Sequence, residues 1–185
     1  MMNLPNLLSL ARLAVTPFVA WTFLRGHPAI ALALFFFAGL TDGLDGYLAR
    51  RFQWSTPLGA YLDPVADKVL LVGVFLTLGA AGALPDFLVA LVIGRDILIV
   101  ALCAIGYYAL GLTDFAPSLW GKLSTTIQIF TALIALAGRA APSAFFEALS
   151  MIGIAATTAG TSVSGLHYLW TAIDRWRDTR KHQLR

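Results

Sequence analysis

Long apolar segments alternate with short polar interruptions along the whole chain. A helix that crosses a bilayer needs about 20 mostly apolar residues. Six segments approach that length, with approximate bounds 7–24, 29–50, 57–81, 85–111, 120–138 and 144–173. Lipid offers no hydrogen-bond partner to open backbone groups, so helices are the expected structure of such segments. The pattern therefore predicts an all-α, polytopic membrane protein with six transmembrane helices.

The composition supports a membrane location. The chain has 185 residues, of which 58% are hydrophobic and 12% are charged, and its mean hydropathy is +0.77. A soluble domain carries about 25% charged residues. No stretch is long and polar enough to form a second domain, so residues 1–185 are expected to form a single membrane domain. The single cysteine, Cys103, excludes an intramolecular disulfide within this sequence.

Basic residues lie mostly on one side of the predicted topology. Six spans place both termini on the same side, together with Arg50, Arg51 and Lys122, whereas Arg25 and Arg139 fall on the other side. Cytoplasmic loops carry an excess of lysine and arginine. Both termini are therefore predicted to be cytoplasmic.

The end of the chain, residues 174–185, is a basic tail. It suits either an anionic membrane surface or plain solvation. The net charge of +3 does not suggest nucleic acid as a partner. The first residues lack the basic region of a signal peptide and the arginine- and serine-rich character of a transit peptide. This favours a bacterial cytoplasmic membrane over an organellar one.

Four aspartates interrupt the second and third apolar segments. Asp42 and Asp45 are three residues apart, and Asp63 and Asp67 are four apart. On a helix each pair shares one face, with side chains about 5–6 Å apart. A charged side chain at the centre of a membrane helix costs about 2.5–3.5 kcal/mol and usually faces a partner or a water-filled cavity. If the two faces meet, the four carboxylates converge.

A cluster of four carboxylates needs positive charge nearby, because like charges repel strongly at short range. Arg50 and Lys68 are the nearest basic residues in sequence and supply half of that charge. Two hard divalent cations would balance the cluster, and ligation by oxygen alone suits Mg²⁺ or Mn²⁺. For any single aspartate, a helix cap or a salt bridge is the simpler interpretation.

Two other classes of protein could use intramembrane carboxylates. An ion-coupled transporter would have them spread through the depth of the membrane rather than gathered near one surface. A membrane scaffold with charged helix contacts would need more countercharges than this chain has.

The aspartates form part of a longer pattern. It reads Asp42-x-x-Asp45-Gly46-x-x-Ala49-Arg50, then eight residues, then Gly59-x-x-x-Asp63-x-x-x-Asp67. This pattern resembles the signature of the CDP-alcohol phosphatidyltransferases, and the N-terminal stretch 3–9 with the block 120–126 is similar to that family as well.

The resemblance implies a six-helix membrane domain, usually homodimeric, that takes part in phospholipid biosynthesis. Members transfer a phosphatidyl group from CDP-diacylglycerol to an alcohol and release CMP, with the active site open to the cytoplasmic interface. The resemblance assigns metal binding to four aspartates and the role of general base to one of them, Asp67. The metal ligands it implies are Asp42, Asp45, Asp63 and Asp67. The residues it implies for binding the CDP-lipid are Asp42, Gly46, Ala49, Arg50 and Gly59.

The acceptor alcohol is less clearly indicated. The pair Arg95-Asp96 and the late stretch 156–162 resemble the CMP-forming cardiolipin synthases, which act on phosphatidylglycerol. The alternative subfamily, the phosphatidylglycerophosphate synthases, uses glycerol 3-phosphate. Because arginine and lysine bind phosphate, Arg95 and Lys122 are the candidates for the acceptor's phosphate. Their alternative roles are a local contact between Arg95 and Asp96, and a Lys122 that reaches the interface.

Overall fold

The computed structural model describes the backbone of residues 4–52, 57–110 and 118–183, and side chains within residues 8–41, 62–108 and 118–177. The described residues form six α-helices and contain no strand. They are α1 (Leu4–Leu24), α2 (Pro28–Phe52), α3 (Pro57–Ala80), α4 (Asp86–Leu110), α5 (Leu119–Ala140) and α6 (Ala144–Gln183). The all-helical prediction is confirmed for this part of the chain.

Tight turns join α1 to α2 and α3 to α4. Gly26 and Gly82 have positive φ values of 82° and 62°, a conformation that glycine adopts without steric cost. Each donates its backbone N–H back to the end of the preceding helix, to the carbonyl oxygens of Phe23 and Gly79. Because these turns are short, α1 and α2 run antiparallel to each other, and so do α3 and α4.

The last helix is longer than the sequence predicted. The predicted span ends near residue 173, but α6 continues to Gln183 and has 40 residues. At 1.5 Å per residue it is about 60 Å long, roughly twice the hydrocarbon thickness. The basic tail is therefore helical over most of its length. Arginine and lysine are good helix formers, and Asp174 precedes Arg177 by three residues, a favourable spacing on a helix.

Three helices have the length and apolar character needed to cross a membrane. These spans are Asp86–Tyr108, Leu119–Ala140 and Ala144–Arg177. Shorter apolar stretches occupy Leu8–Leu24 in α1 and Pro28–Thr41 in α2. The described part of α3 carries Asp63, Asp67 and Lys68, which lower its hydropathy. The chain is thus a helical integral membrane protein, and the count of six spans stays a prediction.

An apolar core fills one half of the helix bundle. It is built from residues of α1 to α5 and centres on Phe75 and Leu78 of α3, which have no exposed surface. α1 packs against both α2 and α3. A Cβ atom on Gly73 would lie 2.9 Å from Cγ2 of Thr16, so the glycine allows α1 to approach α3 closely. This close approach positions the polar side chains described below.

Buried hydroxyl and amide groups form hydrogen bonds between α5 and α6. Thr131 donates to the carbonyl oxygen of Gly153 at 3.1 Å, and its Oγ1 lies 2.8 Å from Oγ1 of Thr157. Gln128 donates to Oγ1 of Thr161 at 3.1 Å. These side chains are almost fully buried. Small and hydroxyl-bearing residues are common at contacts between membrane helices because they allow close packing and hydrogen bonding.

Candidate active site

The carboxylates of α3 face the N-terminal part of α1. Ser9 donates a hydrogen bond to Oδ1 of Asp63, and Arg12 forms an ion pair with Asp67 through Oδ1. Ser9 and Arg12 are three residues apart on α1, and their partners are four apart on α3. One polar face of each helix therefore meets the other along about one turn. The Arg12 side chain is almost fully buried, at 2% exposure, whereas that of Asp67 is 47% exposed.

A pocket of about 520 Å³ opens beside this contact. Among the described residues, its charged lining consists of Arg12, Asp67 and Lys68. The wall is otherwise mostly apolar and includes residues of α2, α3 and α5, with Phe35, Phe36, Gly39, Leu40, Leu70, Leu71, Ile129, Phe130 and Leu133 among them. The pocket is thus amphipathic, because three charged side chains and a larger number of apolar ones share its lining.

Lys68, the next residue after Asp67, points to a different helix. Its Nζ atom forms an ion pair with Oδ1 of Asp96 on α4. The same Oδ1 atom accepts a hydrogen bond of 3.0 Å from Nη1 of Arg95. Asp96 is 8% exposed, and its second oxygen has no hydrogen-bond partner among the described residues. One buried carboxylate oxygen therefore serves two cations.

Arg95 is held by α5 and α6 as well as by Asp96. Its Nε and Nη2 atoms donate to Oγ of Ser164 at 3.1 and 2.7 Å, and Nη2 lies 3.4 Å from the carbonyl oxygen of Gly121. Its guanidinium carbon lies 5.8 Å from the centre of the Tyr168 ring, within the range of a cation–π contact. Arg95 thereby ties α4 to the two helices that follow it.

The start of α5 belongs to the same region. Ser118 is the N-cap of α5, and its hydroxyl accepts the backbone N–H of Gly121 at 3.0 Å. The backbone N–H of Ser118 in turn donates to the hydroxyl of Tyr168 at 3.1 Å. A capping serine satisfies one of the open N–H groups of a helix start. These bonds place the first turn of α5 against Arg95.

Several of the predicted site residues have side chains outside the described part of the structure. Asp42, Asp45, Gly46, Ala49 and Arg50 belong to α2, and Gly59 belongs to α3. The predicted convergence of four carboxylates and the predicted binding of the CDP-lipid by these residues stay predictions. Within the described residues, no group of three or more histidine, cysteine, aspartate or glutamate side chains is assembled.

The counterion predicted for the aspartates was wrong at Lys68. The sequence suggested Lys68 as a counterion of the aspartate cluster, but Lys68 pairs with Asp96 on α4. Among the described residues, Arg12 pairs with one of these aspartates, Asp67. With Arg12 counted in place of Lys68, the formal charge of the four aspartates still exceeds that of Arg12 and Arg50 by two negative charges.

Sequence analysis missed the contribution of α1. Ser9, Arg12 and Thr16 recur at spacings of three and four residues within an otherwise apolar segment, which is the pattern of a polar stripe on a helix. That stripe was the available signal. Nothing in the sequence indicated that the stripe meets the third helix rather than the second.

The described carboxylates suit a hard cation. Asp63 and Asp67 present oxygen ligands from one face of α3 beside a pocket, and Asp67 is half exposed. Carboxylate oxygens are the ligands that Mg²⁺ and Mn²⁺ prefer. The residues present therefore fit a divalent metal, and the role of Asp63 and Asp67 as two of its ligands stays a prediction.

The two residues predicted to bind the acceptor differ in their surroundings. Arg95 is buried and engaged by Ser164, Gly121 and Asp96, and Lys122 is exposed on the first turns of α5. Neither is among the described residues that line the pocket. Their role toward the acceptor stays a prediction.

Comparison with known proteins identifies one family. The family described as CDP-alcohol phosphatidyltransferase matches residues 2–161. The chain is 32% identical over 185 residues to a cardiolipin synthase (CMP-forming) of Rattus norvegicus, a match that covers 90% of this chain and 61% of the relative. It is 36% identical over 135 residues to a CDP-diacylglycerol–glycerol-3-phosphate 3-phosphatidyltransferase of Haemophilus influenzae, covering 69% and 71% of the two chains.

A third relative carries the same name as the second. The CDP-diacylglycerol–glycerol-3-phosphate 3-phosphatidyltransferase of Pseudomonas fluorescens is 43% identical over 106 residues, which cover 55% of this chain and 54% of the relative. The chain spans less than two thirds of the length of several relatives that it matches. The chain is thus similar to relatives of both names.

Proposed function

Because the chain belongs to the CDP-alcohol phosphatidyltransferase family, we propose that it transfers the phosphatidyl group of CDP-diacylglycerol to phosphatidylglycerol, releasing CMP and forming cardiolipin. The observation that carries this proposal is the position of Asp67. Asp67 lines a pocket together with Arg12 and Lys68, and most of the remaining lining is apolar, which suits a reaction between the polar ends of two lipids.

In the proposed reaction, a hydroxyl oxygen of the acceptor bonds to the lipid-side phosphorus of CDP-diacylglycerol. The bond from that phosphorus to the CMP oxygen breaks, and CMP leaves with the electron pair. Asp67 takes the proton of the hydroxyl as general base, a role that requires hydrogen-bond reach of that group. Its partial exposure to the pocket is compatible with this reach.

Enzymes of this family generally depend on a divalent metal. We assign the ligands to Asp42, Asp45, Asp63 and Asp67, and the ions to Mg²⁺ or Mn²⁺, two in number. When bound, such ions would stabilise the negative charge that develops on the phosphate of the departing CMP. Asp42, Gly46, Ala49, Arg50 and Gly59 are assigned to the CDP-lipid, because the small residues leave room for a ligand beside the backbone.

The acceptor is proposed to be a lipid on the basis of the pocket. A diacyl acceptor can place part of an acyl chain along Phe35, Leu70 and Leu133 while its glycerol end reaches Asp67. With glycerol 3-phosphate as acceptor, the acyl chains of the donor alone would occupy that apolar wall. Lys122, which is exposed, can contact the acceptor's phosphate directly, whereas Arg95 can do so only by exchanging one of its present hydrogen bonds.

Glycerol 3-phosphate is the second candidate acceptor. The observation in its favour is that two relatives named for that substrate reach 36% and 43% identity to this chain.

A cytoplasmic location of both termini, a bacterial inner membrane and a homodimer complete the proposal. The basic residues of α6 support the first of these.

Turnover with defined lipids tests the proposed function. Purified protein in detergent micelles receives CDP-diacylglycerol, Mg²⁺ or Mn²⁺, and either phosphatidylglycerol or glycerol 3-phosphate, and release of CMP is followed. Release with phosphatidylglycerol is expected. Release with glycerol 3-phosphate alone would change the acceptor, and no release with any alcohol would favour an ion-coupled transporter.

A further inference from the structure

Lys68 connects the pocket to a buried carboxylate outside the pocket. Its side chain is 37% exposed and lines the pocket together with Asp67 and Arg12. Its ion-pair partner, Asp96, is not among the described lining residues. The ammonium group thus pairs with a carboxylate of α4, while the lysine side chain borders the space that a ligand would fill.

The two lining cations are not equivalent. Arg12 is almost fully buried, and it contacts Asp67, itself a lining residue. Its charge is therefore partly balanced within the pocket. Lys68 is more exposed, and the carboxylate that balances it, Asp96, is not among the described lining residues. Among the described lining residues, Lys68 is the cation better placed to contact an anion that enters the pocket.

Asp96 has a geometry suited to positioning Lys68. It is 8% exposed, and its Oδ1 atom contacts both Lys68 and Arg95. Arg95 is also fixed by Ser164 and Gly121, so it keeps most of its contacts if Asp96 is changed. For the ammonium of Lys68, the pair with Asp96 is the one polar contact described. Loss of the Asp96 charge therefore removes the described polar contact of Lys68, and it also leaves the buried charge of Arg95 without this carboxylate.

We infer that Lys68 binds the phosphate group of a lipid substrate in the pocket, and that Asp96 is the positioning residue that holds Lys68 in place. This inference rests on the proposed function for the identity of the substrates. The ligand chemistry is a phosphate ester at the polar end of an acyl-chain lipid. Two substrates carry it: the pyrophosphate of CDP-diacylglycerol and the phosphodiester of phosphatidylglycerol.

A binding cycle at equilibrium tests the inference without requiring turnover. Native mass spectrometry of the detergent-solubilised protein gives the Kd for CDP-diacylglycerol and for phosphatidylglycerol, with diacylglycerol as a probe that lacks phosphate. The variants are Lys68→Met, Asp96→Asn and the double variant. Asp86→Asn, an exposed aspartate at the start of the same helix α4, is the matched control.

Lys68→Met is expected to raise the Kd of at least one phosphate-bearing lipid about tenfold and to leave diacylglycerol unaffected. Asp96→Asn is expected to raise the same Kd about three- to tenfold. The double variant should bind no more than about twofold more weakly than Lys68→Met, because Asp96 acts through Lys68 and coupled residues are not additive. Lys68→Arg should restore most of the binding. The lipid whose Kd rises in Lys68→Met is the one whose phosphate Lys68 contacts.

Three results would overturn the inference: unchanged Kd values in Lys68→Met, equal weakening for diacylglycerol, or fully multiplicative effects in the double variant. Thermal unfolding of each variant separates loss of the fold from loss of binding, and Lys68→Arg remains informative if Asp96→Asn is unstable. CMP release by the wild type is measured in parallel. Its absence would count against the proposed function while leaving the binding result to be judged by itself.

Discussion

The guanidinium of Arg12 lies against the carboxylate of Asp67, and this ion pair joins α1 to α3 across 55 residues of sequence. The arginine is buried, and the aspartate reaches into the pocket. Together with the neighbouring contact from Ser9 to Asp63, the pair determines how the carboxylate face of α3 is held. The first helix is therefore part of the proposed active site and not only a membrane anchor.

Replacement of Arg12 by methionine is expected to reduce CMP release by about 10- to 100-fold. The change leaves Asp67 without its cation and removes the contact that orients the carboxylate. Breaking a buried pair costs about 3–5 kcal/mol, and since Asp67 is half exposed we expect a smaller loss of about 1–3 kcal/mol in stability. The assay is turnover together with thermal unfolding in detergent. Arg25→Met, which changes an exposed arginine at the other end of α1, should leave turnover unaltered; equal losses in both variants would argue against a specific role for Arg12.

Asp67→Asn is expected to abolish measurable turnover while binding of the CDP-lipid survives in part. A positioned general base contributes about 10²- to 10⁴-fold, and an amide cannot accept the proton of the acceptor. The measurement pairs CMP release with the Kd for CDP-diacylglycerol. Asp174→Asn, at an exposed aspartate of α6, is the control. Turnover like that of the wild type in Asp67→Asn would remove this residue from the role of base.

The sequence predicted the helices more completely than their ends. Apolar runs of membrane length can be identified from composition alone, because lipid requires such segments to be helical. The end of α6 was placed too early because the charged residues after Ile173 end the apolar run without ending the helix. The arginine and lysine residues that follow the apolar run favour a helix. The structure accordingly shows α6 continuing to Gln183.

Removal of divalent metal should eliminate activity. The aspartates assigned as ligands present only oxygen atoms, so chelation with excess EDTA is expected to stop CMP release and added Mg²⁺ or Mn²⁺ to restore it. A second reading is independent of turnover. Metal that binds the folded state should raise the unfolding temperature, and the rise should be smaller in Asp63→Asn. Full activity in EDTA, with no effect of metal on unfolding, would contradict the assignment.

Gly121→Ala is expected to disturb the region around Arg95. A Cβ atom at this position would lie 2.9 Å from the hydroxyl of Tyr168 and 3.2 Å from Nη2 of Arg95. Overpacking of this kind typically costs about 1–3 kcal/mol, so the unfolding temperature and turnover should both fall. Gly94→Ala is the matched control, because no atom lies within 4 Å of the added Cβ there. A wild-type unfolding temperature in Gly121→Ala would show that the region accommodates the methyl group.

The candidate site could be predicted only in part. The spacing of Asp63 and Asp67 indicated one shared helix face, which follows from helix geometry alone. Their partners on α1 lie 54 and 55 residues away in sequence, and spacing along the chain does not indicate such tertiary contacts. For the same reason Lys68 was connected to the wrong carboxylates. Its partner, Asp96, depends on how α3 packs against α4.

The most direct test of the central claim follows the phosphatidyl group itself. CDP-diacylglycerol with deuterated acyl chains is incubated with the purified protein, unlabelled phosphatidylglycerol and Mg²⁺, and the lipid products are identified by mass spectrometry. The account predicts cardiolipin in which one phosphatidyl half is deuterated, formed in equal amount to CMP and absent with Asp67→Asn. Intact donor, with no deuterated phospholipid formed from phosphatidylglycerol, glycerol 3-phosphate or any other alcohol supplied, would contradict it.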